Sequence, residues 1–151
     1  VIAWLKGKVV LKGDQSLVLD VSGVGYELFV SSNVLADFGK IGTTIELIVF
    51  TDVKENAITL FGFVHRQEKE VFLLLKKVKG VGSKLAMTII SSIGSANVLQ
   101  AIGLEDISSL TRVSGVGKKS AERIIVELRE QVVQLVADQG GLRKGIEVHS
   151  S

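Results

Sequence analysis

The 151-residue chain has no cysteine and no proline. Without cysteine it has neither a disulfide framework nor a thiolate metal site. Without proline, its punctuation falls to 16 glycines. No apolar run approaches about 18 residues, so no transmembrane helix is expected. The opening VIAWLKGKVV lacks a charged segment followed by an apolar one and does not read as a signal peptide. These absences fit a cytoplasmic protein. His65 and His149 are the only histidines, and neither has a partner at metal-ligand spacing. There is no Gly-x-x-x-x-Gly-Lys-Ser/Thr loop and no nucleophile elbow. Glu105-Asp106 reads as a helix N-terminal feature rather than a catalytic pair. The chemistry left is that of a binder, with no catalytic residue, metal or cofactor expected.

What is present centres on residues 113–125, VSGVGKKSAERII. Gly115 and Gly117 flank Val116, and Lys118 and Lys119 follow at once. Ala121, Ile124, Ile125 and Leu128 then recur at helical spacing. This is a tight turn running into a helix N-terminus, where open N–H groups and the dipole suit a phosphate. Residues 78–90, VKGVGSKLAMTII, repeat the design 35 positions earlier and match it at 8 of 13 positions. Two copies of one helix–turn–helix unit are indicated. Packing alone is a competing account of Gly80, Gly82, Gly115 and Gly117. A lysine at each helix start, Lys84 and Lys119, favours an anion site over packing.

The net charge of +2 is unevenly spread: −2 over residues 1–62, +3 over 63–142 and +1 over 143–151. Lys76, Lys77, Lys79 and Lys84 flank the first turn, and Lys118, Lys119 and Arg123 the second. Such clustering suits nucleic acid, although a solvated helix face explains any one lysine. No feature offers base readout, so binding should be sequence-independent and salt-sensitive.

The chain reads as α+β. Strands are predicted over 2–11, 16–21, 25–30, 43–50 and 57–63, with a short helix over 33–38. Five short strands in about 60 residues suggest an OB-like barrel, because closure removes edges. Helices are predicted over 67–77, 84–93, 95–102, 104–110 and 118–136, the third capped by Ser95. The period changes near residues 63–66, giving a barrel domain over 1–63 and an all-α domain over 64–137. Residues 138–151 lose periodicity and read as a flexible tail or linker. VSGVG also occurs at 21–25, but between strand-like runs and without a basic helix, so it reads as a β-hairpin turn.

The paired GVGSKLA and GVGKKSAERII turns are helix-hairpin-helix motifs. With the barrel opening IAWLKG, the DVSGVGYEL strand pair and ITLFGF, they closely resemble the RuvA family of Holliday junction branch-migration subunits, colinearly over about residues 1–137. Helix-hairpin-helix motifs are shared by many repair proteins; their combination with this barrel is much more specific. The resemblance implies a non-catalytic tetramer that holds a four-way DNA junction open and square-planar, with one tetramer or two per junction. It implies roles in recombination, repair and the SOS response to DNA damage in the bacterial cytoplasm. By the same resemblance Gly80, Gly82 and Lys84, and Gly115, Gly117, Lys118, Lys119 and Arg123, grip the arms near the crossover. The motor is a separate RuvB-type hexameric ATPase, and a RuvC-type resolvase cuts the junction.

The family also places an acidic pin at a barrel hairpin, which corresponds to Glu55 and Asn56; two acids are usual and this chain has one. Carboxylates there would repel phosphates and guide strands apart. Asp52 is near in sequence and is not placed by it. An ordinary polar hairpin tip is the alternative. Ser83 stands where the family usually has proline, which is expected to loosen the turn mildly. A motor-docking domain usually follows the linker, and residues up to Ser151 do not include it. Two rivals remain: a helix-hairpin-helix glycosylase or nuclease, for which Glu122, Glu127 and Glu130 mark no pocket, and a generic duplex binder.

Overall fold

The computed structural model describes residues 1–146, with side chains described through residue 138. Five strands come first: β1 (Trp4–Lys12), β2 (Ser16–Val21), β3 (Val24–Phe29), β4 (Thr44–Lys54) and β5 (Ala57–Phe63). They close into a barrel in the order β1-β2-β3-β5-β4, with β4 returning to β1. All pairs are antiparallel except β3 with β5. A bulge between Val9 and Leu11 bends β1 as the barrel turns. Alternate residues fill the interior: Leu5 and Val9, Leu17 and Leu19, Leu28, and Ile45, Leu47 and Val49. Helix α1 (Ser32–Phe38) links β3 to β4, its first turn capped by Ser31 Oγ accepting from the Val34 amide at 3.3 Å.

The β2–β3 connection confirms the reading of residues 21–25. Val21 pairs with Val24, leaving Ser22 and Gly23 as a two-residue turn with φ of 51° and 91°. Positive φ at both positions is the type I′ signature. Asp20 Oδ1 accepts from the Gly23 amide at 2.7 Å.

Five helices follow: α2 (Arg66–Lys76), α3 (Ser83–Ile93), α4 (Ser95–Gly103), α5 (Ile107–Thr111) and α6 (Lys118–Ile146). Among the described residues no single helix is long and apolar enough to cross a membrane. Three expectations need correction. Ser95 does not cap its helix: Gly94 closes α3 on Ile90 O and opens α4 through Val98, so Ser95 is already helical. Leu104 ends α4 instead of starting the next helix, because Glu105 takes φ 56° and Asp106 caps α5. Helix α6 continues to Ile146, past the expected 136, so the predicted tail lies partly on α6 and otherwise on residues 147–151, outside the described residues.

The aromatic residues are few, and most of them gather in one place. Phe72 of α2 lies 5.5, 5.3 and 5.0 Å from the rings of Phe50, Phe61 and Phe63, and Phe29 lies 5.8 Å from Phe61. Five of the six phenylalanines thus join the outer wall of the barrel to α2. Strand β5 serves both cores: Leu60 packs inside the barrel, while Phe61 and Phe63 pack among the helices. Two polar fastenings cross the same seam, Ser83 Oγ to Asp52 Oδ2 at 2.8 Å and the Ser32 amide to Ser91 Oγ at 3.2 Å.

Candidate nucleic-acid interface

The repeat in sequence is a repeat in hydrogen bonding. In the first turn the amides of Val78 and Val81 donate to Leu75 O and Val78 O at 3.1 and 3.0 Å, and Ala86 donates to Gly82 O at 3.0 Å. In the second, Val113 and Val116 donate to Leu110 O and Val113 O at 3.1 and 3.0 Å, and Ala121 donates to Gly117 O at 2.9 Å. Every partner is displaced by 35 residues. The valines hold each turn down: Val78, Val81, Val113 and Val116 are all buried. Gly80 and Gly115 both take φ 92°, a region costly for side chains with a Cβ, which explains glycine at the corner of each turn.

At three of the four glycines no close packing is found. A Cβ at Gly80, Gly82 or Gly117 would meet no protein atom within 4 Å, and all three are exposed. Only at Gly115 does a neighbour come close, Leu85 Cδ1 at 3.2 Å. Gly82 and Gly117 therefore keep open space in front of a helix start. The amides of Ser83, Lys84 and Leu85, and of Lys118, Lys119 and Ser120, have no acceptor among the described residues. Each start presents open backbone donors at the positive end of a helix, the arrangement that favours an anion.

The two turns are neighbours. Leu85 of the first hairpin lies on Gly115 of the second, and Arg123 Nη1 donates to Lys79 O at 3.4 Å. Arg123 thereby brings its charge from α6 to the first turn. Lys79, Lys84, Lys118 and Lys119 are exposed and form no ion pair among the described residues. Two lysines assigned to the first turn by proximity are directed elsewhere. Lys76 Nζ sits 4.3 Å from the centre of the Phe50 ring, and Lys77 Nζ donates to Gln131 Oε1 at 3.1 Å.

Glu55 and Asn56 form the exposed tip of the β4–β5 ribbon, where Lys54 pairs with Ala57. Their side chains make no hydrogen bond or ion pair among the described residues. Below the tip, Val53 and Ile58 face each other across the ribbon, 67% and 71% exposed, so the ribbon projects beyond the barrel core. Asp52 does not join the tip. It turns to α3 and accepts from Ser83, which therefore fastens its turn to the barrel. Sequence reasoning missed this pair because its members stand 31 residues apart on different elements.

Asp106 caps α5, the helix entering the second hairpin. It accepts from the Ser109 hydroxyl at 2.6 Å, the Ser109 amide at 3.2 Å and the Ser108 hydroxyl at 3.0 Å. These bonds, led by the Ser109 hydroxyl, hold its carboxyl below the usual carboxylate range. The helix N-terminal reading of Glu105-Asp106 thus stands for Asp106. Among the described residues no group of His, Asp or Glu converges as a metal site.

Comparison with known proteins covers both halves. Residues 2–62 match the family described as the RuvA N-terminal domain, and residues 72–130 match the SAM-like helix-hairpin-helix tandem. The chain is 44% identical over 142 residues to the Holliday junction branch migration complex subunit RuvA of Anaeromyxobacter sp. (strain Fw109-5), covering 94% of this chain and 72% of that protein. It is 35% identical over 147 residues to the protein of the same name from Symbiobacterium thermophilum, covering 97% and 72%. The RuvA subunit of Legionella pneumophila (strain Corby) is 42% identical over 134 residues, covering 88% and 67%. Aligned in order through barrel and hairpins alike, the chain belongs to the RuvA family.

Proposed function

We propose that this protein binds four-way DNA junctions without regard to sequence and without catalysis, as a scaffold for branch migration in recombination and repair. The observation that carries the reading is the doubled turn: one hydrogen-bond frame used twice, each copy ending on open amides beside unpaired lysines. Backbone amides and lysines meet phosphates rather than base edges, which gives position without sequence. Gly80, Gly82 and Lys84 form one grip; Gly115, Gly117, Lys118 and Lys119 form the other, with Arg123 between them. In this reading residues 64–137 hold the DNA and residues 1–63 supply assembly and the pin.

The relatives' name, a complex subunit, supports partners beyond DNA. We assign to the chain a homotetramer, with a RuvB-type ATPase as motor, a RuvC-type resolvase as nuclease, and a bacterial cytoplasmic setting. Exposed apolar residues on the barrel strands, Trp4, Leu11, Val24, Val53 and Ile58, offer surface for subunit contacts. Glu55 at the ribbon tip supplies one repulsive carboxylate per subunit, and Asn56 keeps the tip polar without adding charge.

The test is a salt-titrated binding assay comparing a four-way junction with a duplex of equal length, with the mass of the complex measured alongside. Junction preference in complexes of four or eight chains supports the scaffold. Equal, weak binding of both DNAs by a monomer reduces the protein to a generic duplex binder. Strand incision by the purified chain would replace the proposal with a nuclease or glycosylase.

A further inference from the structure

The two hairpins share a backbone frame but differ in charge. The second opens α6 with Lys118 and Lys119. At the position matching Lys118, the first has Ser83, and Ser83 Oγ donates to Asp52 Oδ2 at 2.8 Å. Ser83 is buried, and Asp52, reaching in from β4, is half-buried. No cationic side chain pairs with Asp52 among the described residues. A carboxyl side chain without a cationic partner is thus fastened to the first residue of α3, the residue that opens the helix whose first amides are left open. The positive end of a helix favours such a charge, which then draws on the same potential an incoming phosphate would use. Being half-buried, it is screened less than a surface charge, and a phosphate at that helix start lies within a Debye length of about 8–10 Å.

We infer that Asp52 acts as a brake on the first hairpin: it lowers that turn's hold on DNA phosphate, and the Ser83 hydroxyl fixes the carboxylate where it does so. This rests on the proposed phosphate grip. Lys79 and Lys84 keep the first turn cationic, so Asp52 weakens the grip without reversing it. Each subunit then carries one firm contact, at Lys118 and Lys119, and one loose contact. A scaffold past which DNA arms must move gains from that inequality, since two firm contacts per subunit would resist every step.

The pair offers two clean substitutions. Asp52→Asn keeps the size and an acceptor for Ser83 but removes the charge; Ser83→Ala keeps the charge but releases it. Four-way-junction binding is measured with the 151-residue chain from about 50 to 400 mM salt, together with thermal unfolding. Asp52→Asn is expected to tighten binding about threefold to tenfold at the lowest salt, with the gain vanishing at the highest. Ser83→Ala is expected to give a smaller gain of the same sign. The Asn gain should persist in a Lys118→Ala/Lys119→Ala background, which locates it at the first hairpin. If Asp52→Asn shifts only the melting temperature, or weakens binding, while Lys118→Ala/Lys119→Ala still weakens binding, Asp52 is a structural fastening and the brake is overturned with the grip intact. If the unsubstituted chain does not bind the junction, the grip itself fails and the brake falls with it.

Discussion

The first hairpin is entered through α2, eleven residues long, whose Phe72 lies among Phe50, Phe61 and Phe63 of the barrel. The second is entered through α5, five residues long, where the matching residue is the half-buried Ile107. Yet the two turns that follow are the same in hydrogen bonding and in the φ of their glycine corners. The same turn thus forms in two moorings, but Val-x-Gly-Val-Gly makes it only between helices, since VSGVG at residues 21–25 is a β-hairpin turn. The mooring decides something else: the first hairpin is fixed to the barrel that carries Glu55 and Asn56, and the second to the first through Leu85 and Arg123.

The strongest way to break this difference is at Phe72. Phe72→Ala should cost about 3–5 kcal/mol of unfolding free energy, the range for large aromatic truncations in a core. Ile107→Ala should cost about 1 kcal/mol, nearer a typical partly exposed site. Chemical denaturation of both variants checks the ratio. Equal losses would mean that the two hairpins are moored alike.

The next largest effect concerns charge. Lys118→Ala/Lys119→Ala should weaken junction binding by about tenfold to a hundredfold at low salt, and lower the salt slope by about one unit for each phosphate no longer neutralised. Lys79→Ala/Lys84→Ala should weaken it less, because Arg123 still reaches the first turn and Asp52 already opposes that grip. Titrations of both variants side by side decide the order. The reverse ranking would make the first hairpin the principal grip.

Much of this was legible because its signals are local. Runs rich in Val, Ile, Leu, Phe and Thr between turn signals located all five strands, and the 35-residue repeat located both turns and their lysines. Legibility fails where structure depends on distant partners. Strand β4 runs to Lys54 instead of stopping at residue 50, because its end is a projecting ribbon whose Val53 and Ile58 are exposed and encode no burial. Lys76 and Lys77 look like DNA ligands from their position beside the turn. One step around the helix turns the first to Phe50 and the second to Gln131. Asp52 is unreadable without α3 beside it.

Glycine substitutions sharpen the comparison within each turn. Gly115→Ala places a Cβ at φ 92°, 3.2 Å from Leu85 Cδ1, and should cost about 1–2 kcal/mol of stability. Gly80→Ala has the same φ without the neighbour and should cost slightly less. Gly82→Ala, at φ −90° with no atom in reach, should leave stability within about 0.5 kcal/mol. Its methyl would stand between the helix start and a phosphate, so junction binding should fall all the same. A Gly82→Ala chain that melts and binds like the original would show that DNA does not approach this backbone.

The smallest effect is the cap of the second entering helix. Asp106 has a lowered pKa in the folded chain, chiefly through the Ser109 hydroxyl. A depressed carboxyl contributes stability that is fully present above its unfolded pKa, about 3.8, and is lost as pH falls through its folded value. The first entering helix differs: its start is closed by Glu68 Oε1 accepting from the His65 amide at 3.1 Å. Asp106→Ala should therefore lower the melting temperature slightly at neutral pH, with the gap from the unsubstituted chain closing below about pH 3.8. Asp106→Asn should recover part of the neutral-pH loss, since asparagine also caps, but none of the pH dependence. A gap that persists undiminished at the lowest pH would show that Asp106 acts there through packing of α5 and not through its charge.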